Sequence, residues 1–335
     1  MIRSDSNDFP PAWWIPSAHA QTIWGRLTRP RRLLQYRRDV LETPDGDDLV
    51  LDWTPGDPGT PIVIALHGLE GSSYSVYVQG LLALASSKCW RGVAMNFRSC
   101  ARDPARRSRM LWNRRPRLYH SGDTGDLDFL VRTLEAREPG TPLVVFGASL
   151  GGNVLTKWLG ENPKQSAVIA GAAVSTPFDL AASGRHMEKG LGPWYTASFL
   201  TTLRPKALEA ARRFPEAAAR IDITRTRKAR TFREFDDAAN APLHGFAGAD
   251  DYYTRASSLS YLQAVRTPLI CVSAEDDPFL PPDALERARA AASPAVEFVT
   301  PPHGGHIGFV GGPPWKPRFW GEERAMAHFT RYLSA

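Results

Sequence analysis

Short, unbroken apolar runs recur along this sequence and limit most strongly what it can fold into. Each is rich in β-branched and small residues and is bounded by polar or turn-forming residues: PIVIAL (61–66), PLVVFG (142–147), AVIAGAAV (167–174) and PLICVSA (268–274). Strands that are buried on both faces have this composition, because helices cover both sides of a parallel sheet. The runs therefore predict the strands of a mostly parallel central sheet.

Segments of helical character separate these runs. YVQGLLALASS (77–87) precedes a further strand candidate, RGVAMNF (91–97), and GDLDFLVRTLEA (125–136) spaces its apolar residues along one helix face. LVLDW (49–53) alternates as an edge strand does. Strands that alternate with helices through short turns predict an α/β fold with helices on both faces of the sheet.

The alternation of strands and helices stops over residues 178–250. This stretch is rich in alanine and arginine and contains no convincing buried strand, so we expect a helical cap inserted into the core. The core would then consist of two parts, residues 49–177 and 251–335. Residues 1–48 mix tryptophan, proline and polar residues without periodicity, and we expect them to form an irregular segment that wraps the core.

The composition is that of a globular protein, with 43% hydrophobic and 23% charged residues among 335. A chain of this length buries enough surface to fold without disulfides. Its three cysteines, Cys89, Cys100 and Cys271, form no CxxC pair, which argues against a disulfide scaffold or structural zinc and favours a reducing compartment. Because the N-terminus lacks an apolar signal core and no apolar run is long enough to span a bilayer, we expect a cytoplasmic protein.

The net charge of +6 comes mostly from arginines clustered in residues 29–38, 102–117 and 204–230. No helix-turn-helix, RNA-recognition or zinc-finger pattern accompanies them, so we expect no nucleic-acid partner. A solvated basic surface is the simplest interpretation. A weak association with an anionic membrane surface is the alternative.

The sequence GASLG (147–151) carries the strongest chemical signal. It follows a predicted buried strand and precedes a predicted helix, which is the context of a G-x-S-x-G nucleophile turn. Glycines two residues before and after Ser149 would leave room for a tight turn that exposes its hydroxyl. The first amide of the helix, that of Leu150, would be free to bind an oxyanion, and the HGLEG loop (67–71) would bring a second amide, that of Leu69. We expect His67 to hold this loop in place.

A serine needs a neighbouring base, and in this type of fold an acidic residue and then a histidine follow it in the chain. AEDDPFLP (274–281) and PPHGGHIGF (301–309) each follow a predicted strand. We expect His306 to accept the serine proton and Asp277 to orient His306. Asp276 and His303 are the alternatives. We favour Asp277 for its place in the turn D-P-F-L-P, and His306 because flanking glycines let its backbone move and approach its neighbours closely. The mechanism calls for no cofactor and no metal ion.

Taken together, GASLGGN, LHGLEG, DDPF and GGHIGF resemble the YheT-like branch of the α/β-hydrolases, whose eukaryotic relatives are membrane-anchored lipases and esterases. The resemblance extends to WW…HAQT (13–22), DGDDLVLDW (45–53), NFRSC (96–100), YHSGDTGDL (119–127) and HGFAGADDYY (244–253). It implies an α/β-hydrolase fold, a charge-relay triad of Ser149, Asp277 and His306, and hydrolysis of carboxylic esters. We expect the substrate to be a small-molecule ester with a short- to medium-chain or lipid-like acyl group. Two departures are Ser99, where the family usually has glycine, and the arginine-rich stretch 102–117.

Two other functions remain compatible with the same residues: acyl transfer by the same triad, and non-catalytic binding on a hydrolase fold. For the residues that match the family outside the triad, we expect structural roles. We expect His19, Gln21 and Thr22 to belong to the wrapping segment, with contact to the site as the alternative. Asn96 and Arg98 would hold loops through backbone carbonyls. In the cap, LGPWYTASFL (191–200) is either cap core or an acyl-chain wall that includes Trp194.

Overall fold

The structure is a computed structural model that describes residues 9–29 and 34–333. The N-terminal residues on which the expectation about a signal segment rests lie partly outside these ranges. So do Arg31 and Arg32 of the first arginine cluster.

An eight-stranded sheet forms the centre of the molecule, in the order β1-β2-β4-β3-β5-β6-β7-β8. All neighbours from β4 to β8 are parallel, whereas β1 pairs with β2, and β2 with β4, in antiparallel fashion. The strands are β1 (Arg37–Glu42), β2 (Asp48–Trp53), β3 (Ile62–Leu66), β4 (Arg91–Asn96), β5 (Leu143–Ala148), β6 (Val168–Val174), β7 (Leu269–Val272) and β8 (Val296–Val299). A separate hairpin pairs β9 (Val310–Gly311) with β10 (Arg318–Phe319).

Helices cover both faces of the sheet and fill the stretch between β6 and β7. In chain order they are α1 (Ala18–Thr28), α2 (Val76–Ser87), α3 (Gly125–Arg137), α4 (Leu150–Glu161), α5 (Leu180–His186), α6 (Gly192–Arg213), α7 (Pro215–Ala218), α8 (Ile223–Lys228), α9 (Phe232–Phe235), α10 (Ala241–Leu243), α11 (Ala249–Ala256), α12 (Ala284–Ala290) and α13 (Trp320–Leu333). A π-helical turn spans Asp236–Asn240, and a 3-10 helix spans Leu259–Ala264.

The alternation of side chains in each central strand builds two cores. In β3, Ile62, Ile64 and Leu66 pack on the side of α3 and α4, while Val63 and Ala65 pack on the side of α2 and α13. All five residues are buried, as the unbroken apolar run requires. The mostly parallel sheet with helices on both faces confirms the predicted fold class.

The helices from α5 to α11 pack over the carboxyl ends of the strands around two apolar clusters of their own. One contains Leu200, Leu203 and Ala207 of α6 together with Phe235 and Leu243. The other contains Leu180 of α5 and Tyr252 of α11. The helical stretch continues through α11 and the 3-10 helix, beyond residue 250. Among the described residues, no helix has both the length and the apolar content to cross a membrane.

Two expectations about the N-terminal part are wrong. Residues 1–48 are not irregular throughout, because they contain α1, capped by the Ser17 hydroxyl, and the strand β1. LVLDW is not an edge strand, because β1 covers it. The sequence of β1, RRDVLE, does not show the apolar alternation of a strand. An edge strand is held by backbone hydrogen bonds and leaves much of its side-chain surface in solvent, so it does not need that alternation.

Arg98 also differs from its expected role, because its partners are carboxylates and not backbone carbonyls. Its guanidinium bonds Asp45, Asp47 and Asp126 at 2.7 to 3.1 Å. Asn96 does donate to a backbone carbonyl, that of Val50, and also to a carboxylate. The motifs DGDD and NFRSC are thus joined by an ion-pair network that fixes the turns flanking β2 and β4.

Candidate active site

Ser149 lies in a sharp turn between β5 and α4. Its backbone has φ +52° and ψ −118°, an unfavourable conformation for a residue with a Cβ atom. A Cβ atom on Gly147 would lie 2.3 Å from the carbonyl oxygen of Gly151, and one on Gly151 would lie 2.6 Å from that of Leu66. Any larger residue at either position would clash with a backbone carbonyl, so both positions require glycine, as the motif predicts.

His306 links the Ser149 hydroxyl to the Asp277 carboxylate. Nε2 of His306 lies 3.0 Å from Oγ of Ser149, and Nδ1 lies 2.9 Å from Oδ2 of Asp277. The Asp277 side chain is fully buried, and that of His306 is 7% exposed. With the ring proton on Nδ1 donated to Asp277, Nε2 is free to accept the serine proton.

The two alternatives, Asp276 and His303, do not contact the serine. Oδ1 of Asp276 accepts a hydrogen bond from the Gly305 amide at 2.9 Å, and its Oδ2 lies 3.2 Å from Nδ1 of His303. The His303 side chain is 64% exposed. This second pair holds the loop that carries His306 but has no access to the Ser149 hydroxyl.

The loop after β3 passes directly beside the serine. A Cβ atom on Gly68 would lie 3.3 Å from Cβ of Ser149, so glycine permits the approach. Leu69 and Leu150 line the same cavity as Ser149 and His306. Within the described ranges, neither the Leu69 amide nor the Leu150 amide donates a hydrogen bond to another protein group. Two free amides thus flank the nucleophile turn.

His67 holds this loop, as expected from the sequence. Its Nδ1 lies 2.7 Å from the Gly68 carbonyl oxygen, and its Nε2 accepts a hydrogen bond from the Phe97 amide at 3.1 Å. Burial lowers the pKa of His67 to about 4, so the ring is neutral at physiological pH. Both ring nitrogens are occupied by backbone groups, and His67 has no free nitrogen for proton transfer.

Helix α1 contacts the histidine loop directly. Oγ1 of Thr22 accepts a hydrogen bond from the His306 amide at 2.9 Å, and the side-chain amide of Gln21 bonds the backbone of Val310 through both its oxygen and its nitrogen. A Cβ atom on Gly305 would lie 2.3 Å from the Ala18 carbonyl oxygen. The sequence predicts that this segment wraps the core, but it does not predict these contacts, although the HAQT motif lies in the segment.

Aromatic rings cover His306 from the cap side. The Phe279 ring stacks on the imidazole with 4.1 Å between centroids and 21° between planes. Tyr195 of α6 packs edge-on against Phe279, and its hydroxyl lies 3.0 Å from Nδ1 of His19 in α1. The imidazole is thereby held between the cap, α1 and the loop after β7.

A largely apolar cavity extends from Ser149 into the cap. Helix α6 contributes Phe199, Leu203 and Ala207, which are spaced four residues apart and share one helix face. Other apolar residues on its wall are Leu118, Leu180, Met187, Phe232, Phe235, Ala239 and Leu243. The cavity has the character expected for a chain of methylene groups.

Trp194 does not belong to this wall, which corrects one expectation about the cap. Its side chain points outward and is 59% exposed. Helical periodicity explains the difference, because Trp194 lies off the face that carries Phe199 and Leu203.

Among the described residues, no three His, Cys, Asp or Glu side chains converge as metal ligands would.

Comparison with known proteins agrees with this architecture. Residues 61–313 match the family model of the α/β-hydrolase fold. Among solved structures, the esterase Pf2001 of Pyrococcus furiosus superimposes with a TM-score of 0.59 at 18% identity, covering 92% of this chain and 95% of that one. At this identity the likeness concerns the fold alone.

Two relatives match over most of the chain. YheT of Escherichia coli (strain K12) is 35% identical, covering 99% of this chain and 96% of that protein. The mouse phospholipase ABHD3 is 30% identical, covering 90% of this chain and 73% of that protein. With the family match and the geometry above, these similarities show that the chain belongs to the α/β-hydrolase family, in the branch that contains YheT.

Proposed function

We propose that this protein is a serine hydrolase that cleaves carboxylic esters. The observation that carries the proposal is the 3.0 Å distance between Oγ of Ser149 and Nε2 of His306, with Asp277 bonded to the other ring nitrogen. A hydroxyl becomes an effective nucleophile when a base takes its proton during attack. Relatives named as a phospholipase and, in Saccharomyces cerevisiae, as a monoacylglycerol lipase support an ester as the substrate.

In the first half-reaction, Oγ of Ser149 attacks the ester carbonyl carbon while its proton passes to Nε2 of His306. Asp277 stabilises the imidazolium that forms. The carbonyl oxygen becomes an oxyanion and accepts hydrogen bonds from the amides of Leu69 and Leu150. The tetrahedral intermediate then collapses, the bond to the alcohol oxygen breaks, and His306 returns the proton to that oxygen.

In the second half-reaction, His306 takes a proton from water, and the hydroxide oxygen attacks the acyl-enzyme. The second tetrahedral intermediate collapses, the bond between the acyl carbon and Oγ of Ser149 breaks, and His306 returns its proton to Oγ, which releases the carboxylic acid and restores the free serine. An alcohol or thiol in place of water would give acyl transfer by the same steps. Product analysis in the presence of added alcohol separates the two outcomes.

The cavity wall favours an acyl chain of short to medium length, or a lipid-like one. Phe199, Leu203 and Phe235 present apolar surface near the nucleophile. Burying a methylene group against such a surface contributes about 0.8 kcal/mol. We therefore expect kcat/KM to rise with acyl length until the chain fills the cavity.

Ester turnover and covalent labelling test the proposal together. The parent protein should hydrolyse p-nitrophenyl esters and should be labelled by a fluorophosphonate on the peptide that contains Ser149, as identified by mass spectrometry. Ser149→Ala should lose the label and reduce kcat by about 10⁴-fold or more. Ser183→Ala is the matched control, because Ser183 also lines the cavity but has no bond to His306. This variant should keep both ester turnover and fluorophosphonate labelling.

A folded parent protein that neither turns over esters nor accepts the label would contradict the proposal and favour a binding function. Labelling at a residue other than Ser149 would contradict the assignment of the nucleophile.

A further inference from the structure

The residue that follows Leu69 is joined to the cap by a buried ion pair. Oε1 of Glu70 lies 2.5 Å from Nζ of Lys206, which belongs to α6. The two side chains are 8% and 4% exposed, so water has little access to the pair. Neither residue takes part in the chemical steps described above.

Glu70 also has a backbone conformation that needs support. Its φ is +56°, in the left-handed region that is unfavourable for residues with a Cβ atom. The Tyr119 hydroxyl accepts a hydrogen bond from the Glu70 amide at 2.7 Å and lies 2.9 Å from Oε1 of the same residue. Tyr119 and Lys206 therefore both bind the same carboxylate oxygen, Oε1 of Glu70.

Both members of the pair carry charge. Burial alone would raise the pKa of Glu70, but the Lys206 ammonium outweighs it, and the pKa lies below its usual value. For Lys206, burial alone would lower the pKa, but the Cys100 thiol and the Glu70 carboxylate raise it above its usual value. Removing one member leaves the other as an uncompensated buried charge.

We propose that Lys206 and Glu70 are positioning residues through which α6 sets the direction of the Leu69 amide in the oxyanion hole. The Leu69 amide belongs to the peptide unit whose Gly68 carbonyl is bound by His67 and by the Gly71 amide. Tyr119 binds the amide of the next peptide unit, and Lys206 binds the side chain of the same residue, Glu70. Rotation of that segment would turn the Leu69 N–H away from the oxyanion. This inference rests on the proposed function, because it concerns how the hole is oriented.

The test compares the single variants Lys206→Met and Glu70→Gln with the double variant that carries both. We expect each to lower kcat for p-nitrophenyl esters by about 10- to 100-fold, with KM within about threefold, because a misdirected donor is lost mainly in the transition state. The inhibition constant for phenylboronic acid should rise with the loss in kcat, since its adduct on Ser149 places an oxygen in the hole. Lys206→Arg keeps the charge and should retain more activity than Lys206→Met.

The double variant separates positioning from charge balance, because it leaves no unpaired charge. We expect its Tm to return towards that of the parent while kcat stays low. Arg287→Met is the matched control: Arg287 of α12 pairs with Asp179, before α5, at 2.6 Å and so links core and cap away from Leu69. Its kcat should lie within about twofold of the parent value.

Recovery of kcat together with Tm in the double variant would overturn the inference, and so would an unchanged kcat in the single variants. A rise in KM at constant kcat would mean that Lys206 binds substrate, and would also overturn it. These results leave the proposed function intact as long as the parent is active and Ser149→Ala is not. An inactive parent would remove both proposals.

Discussion

Asp276 and His303 contact each other, with 3.2 Å between Oδ2 of the first and Nδ1 of the second. Their close neighbours in the sequence, Asp277 and His306, form a second acid–histidine pair, and its histidine contacts Ser149. Two acid–histidine pairs thus arise from the same two loops, one at the surface and one inside. Burial and access to the serine distinguish them.

Replacing the two carboxylates separately should give very different losses. We expect Asp277→Asn to reduce kcat for p-nitrophenyl esters by about 10³- to 10⁴-fold, because the amide stabilises the wrong tautomer of His306. Asp276→Asn is the matched control, since its oxygen still accepts from the Gly305 amide, and its loss should stay below about fivefold. Comparable losses in the two variants would refute the assignment of Asp277.

The hydroxyl of Thr22 should matter for activity although it lies in the N-terminal segment. Thr22→Val keeps the shape of the side chain but leaves the His306 amide, at a partly buried position, without its acceptor. An unsatisfied buried donor costs about 1–3 kcal/mol, so we expect a lower Tm and a kcat reduced by about tenfold. Thr22 also donates a hydrogen bond to the Ala18 carbonyl of its own helix. Thr28→Val is the control, because Thr28 donates in the same way to the Trp24 carbonyl, at an exposed position, and has no bond to the loop that carries His306. Equal effects of the two substitutions would show that Thr22 acts only on the helix.

Gly305→Ala should disrupt the loop that carries His306 more than the unfavourable backbone angle of an alanine at this position would by itself. At Gly305, with φ +59°, a Cβ atom would lie 2.3 Å from the Ala18 carbonyl oxygen. At Gly59, with φ +80°, no atom lies within 4 Å of that position. We expect Gly59→Ala to cost about 1 kcal/mol of unfolding free energy from the angle, and Gly305→Ala to cost clearly more and to lower kcat. Chemical denaturation and ester turnover measure the two effects.

The cap contains a buried acid that makes stability depend on pH. Burial raises the pKa of Asp236 to about 7, and its oxygens accept hydrogen bonds from Tyr253 and Asn240. Because the folded-state pKa exceeds that of the unfolded chain, its contribution to stability is full below about pH 4 and is lost as the pH rises through 7. Asp236→Asn should therefore raise the unfolding free energy at pH 8, on the order of a few kcal/mol, and have a much smaller effect at pH 5.

Thermal unfolding of the parent and Asp236→Asn at both pH values tests this expectation. Asp251→Asn, whose carboxylate is partly exposed beside Arg255, serves as the control and should show no such difference. A difference in unfolding free energy between parent and Asp236→Asn that is as large at pH 5 as at pH 8 would contradict the expectation.

A larger side chain on the cavity wall should shorten the acyl chains that the protein accepts. We expect Leu203→Trp to lower kcat/KM for the longest p-nitrophenyl esters by about tenfold or more, with acetate little affected, because the pocket loses room for methylene groups. Trp194→Ala, which changes an exposed residue of the same helix, should leave the chain-length profile unchanged. A uniform loss across all chain lengths would place Leu203 outside the acyl path.

The local pattern of the sequence was sufficient for the central strands and for the nucleophile turn. An unbroken apolar run such as that of β3 has one stable environment, between two helical layers, and GASLG between a strand and a helix permits little besides a tight turn. The pattern failed for β1, whose arginine-rich sequence is compatible with an edge strand only because β2 pairs with it.

What the tertiary structure alone decided is which distant side chains meet. Sequence order left Asp276 beside Asp277 and His303 near His306, and only the packing of the two loops put one pair inside and the other at the surface. The bond from the His306 amide to Thr22 and the pairing of Glu70 with Lys206 join segments far apart in the chain. Turn motifs favoured Asp277 and His306, but periodicity and turn motifs report only on neighbours within a few residues. The contacts of Thr22 and Glu70 depend on how whole layers pack, and so they could not be predicted from the sequence.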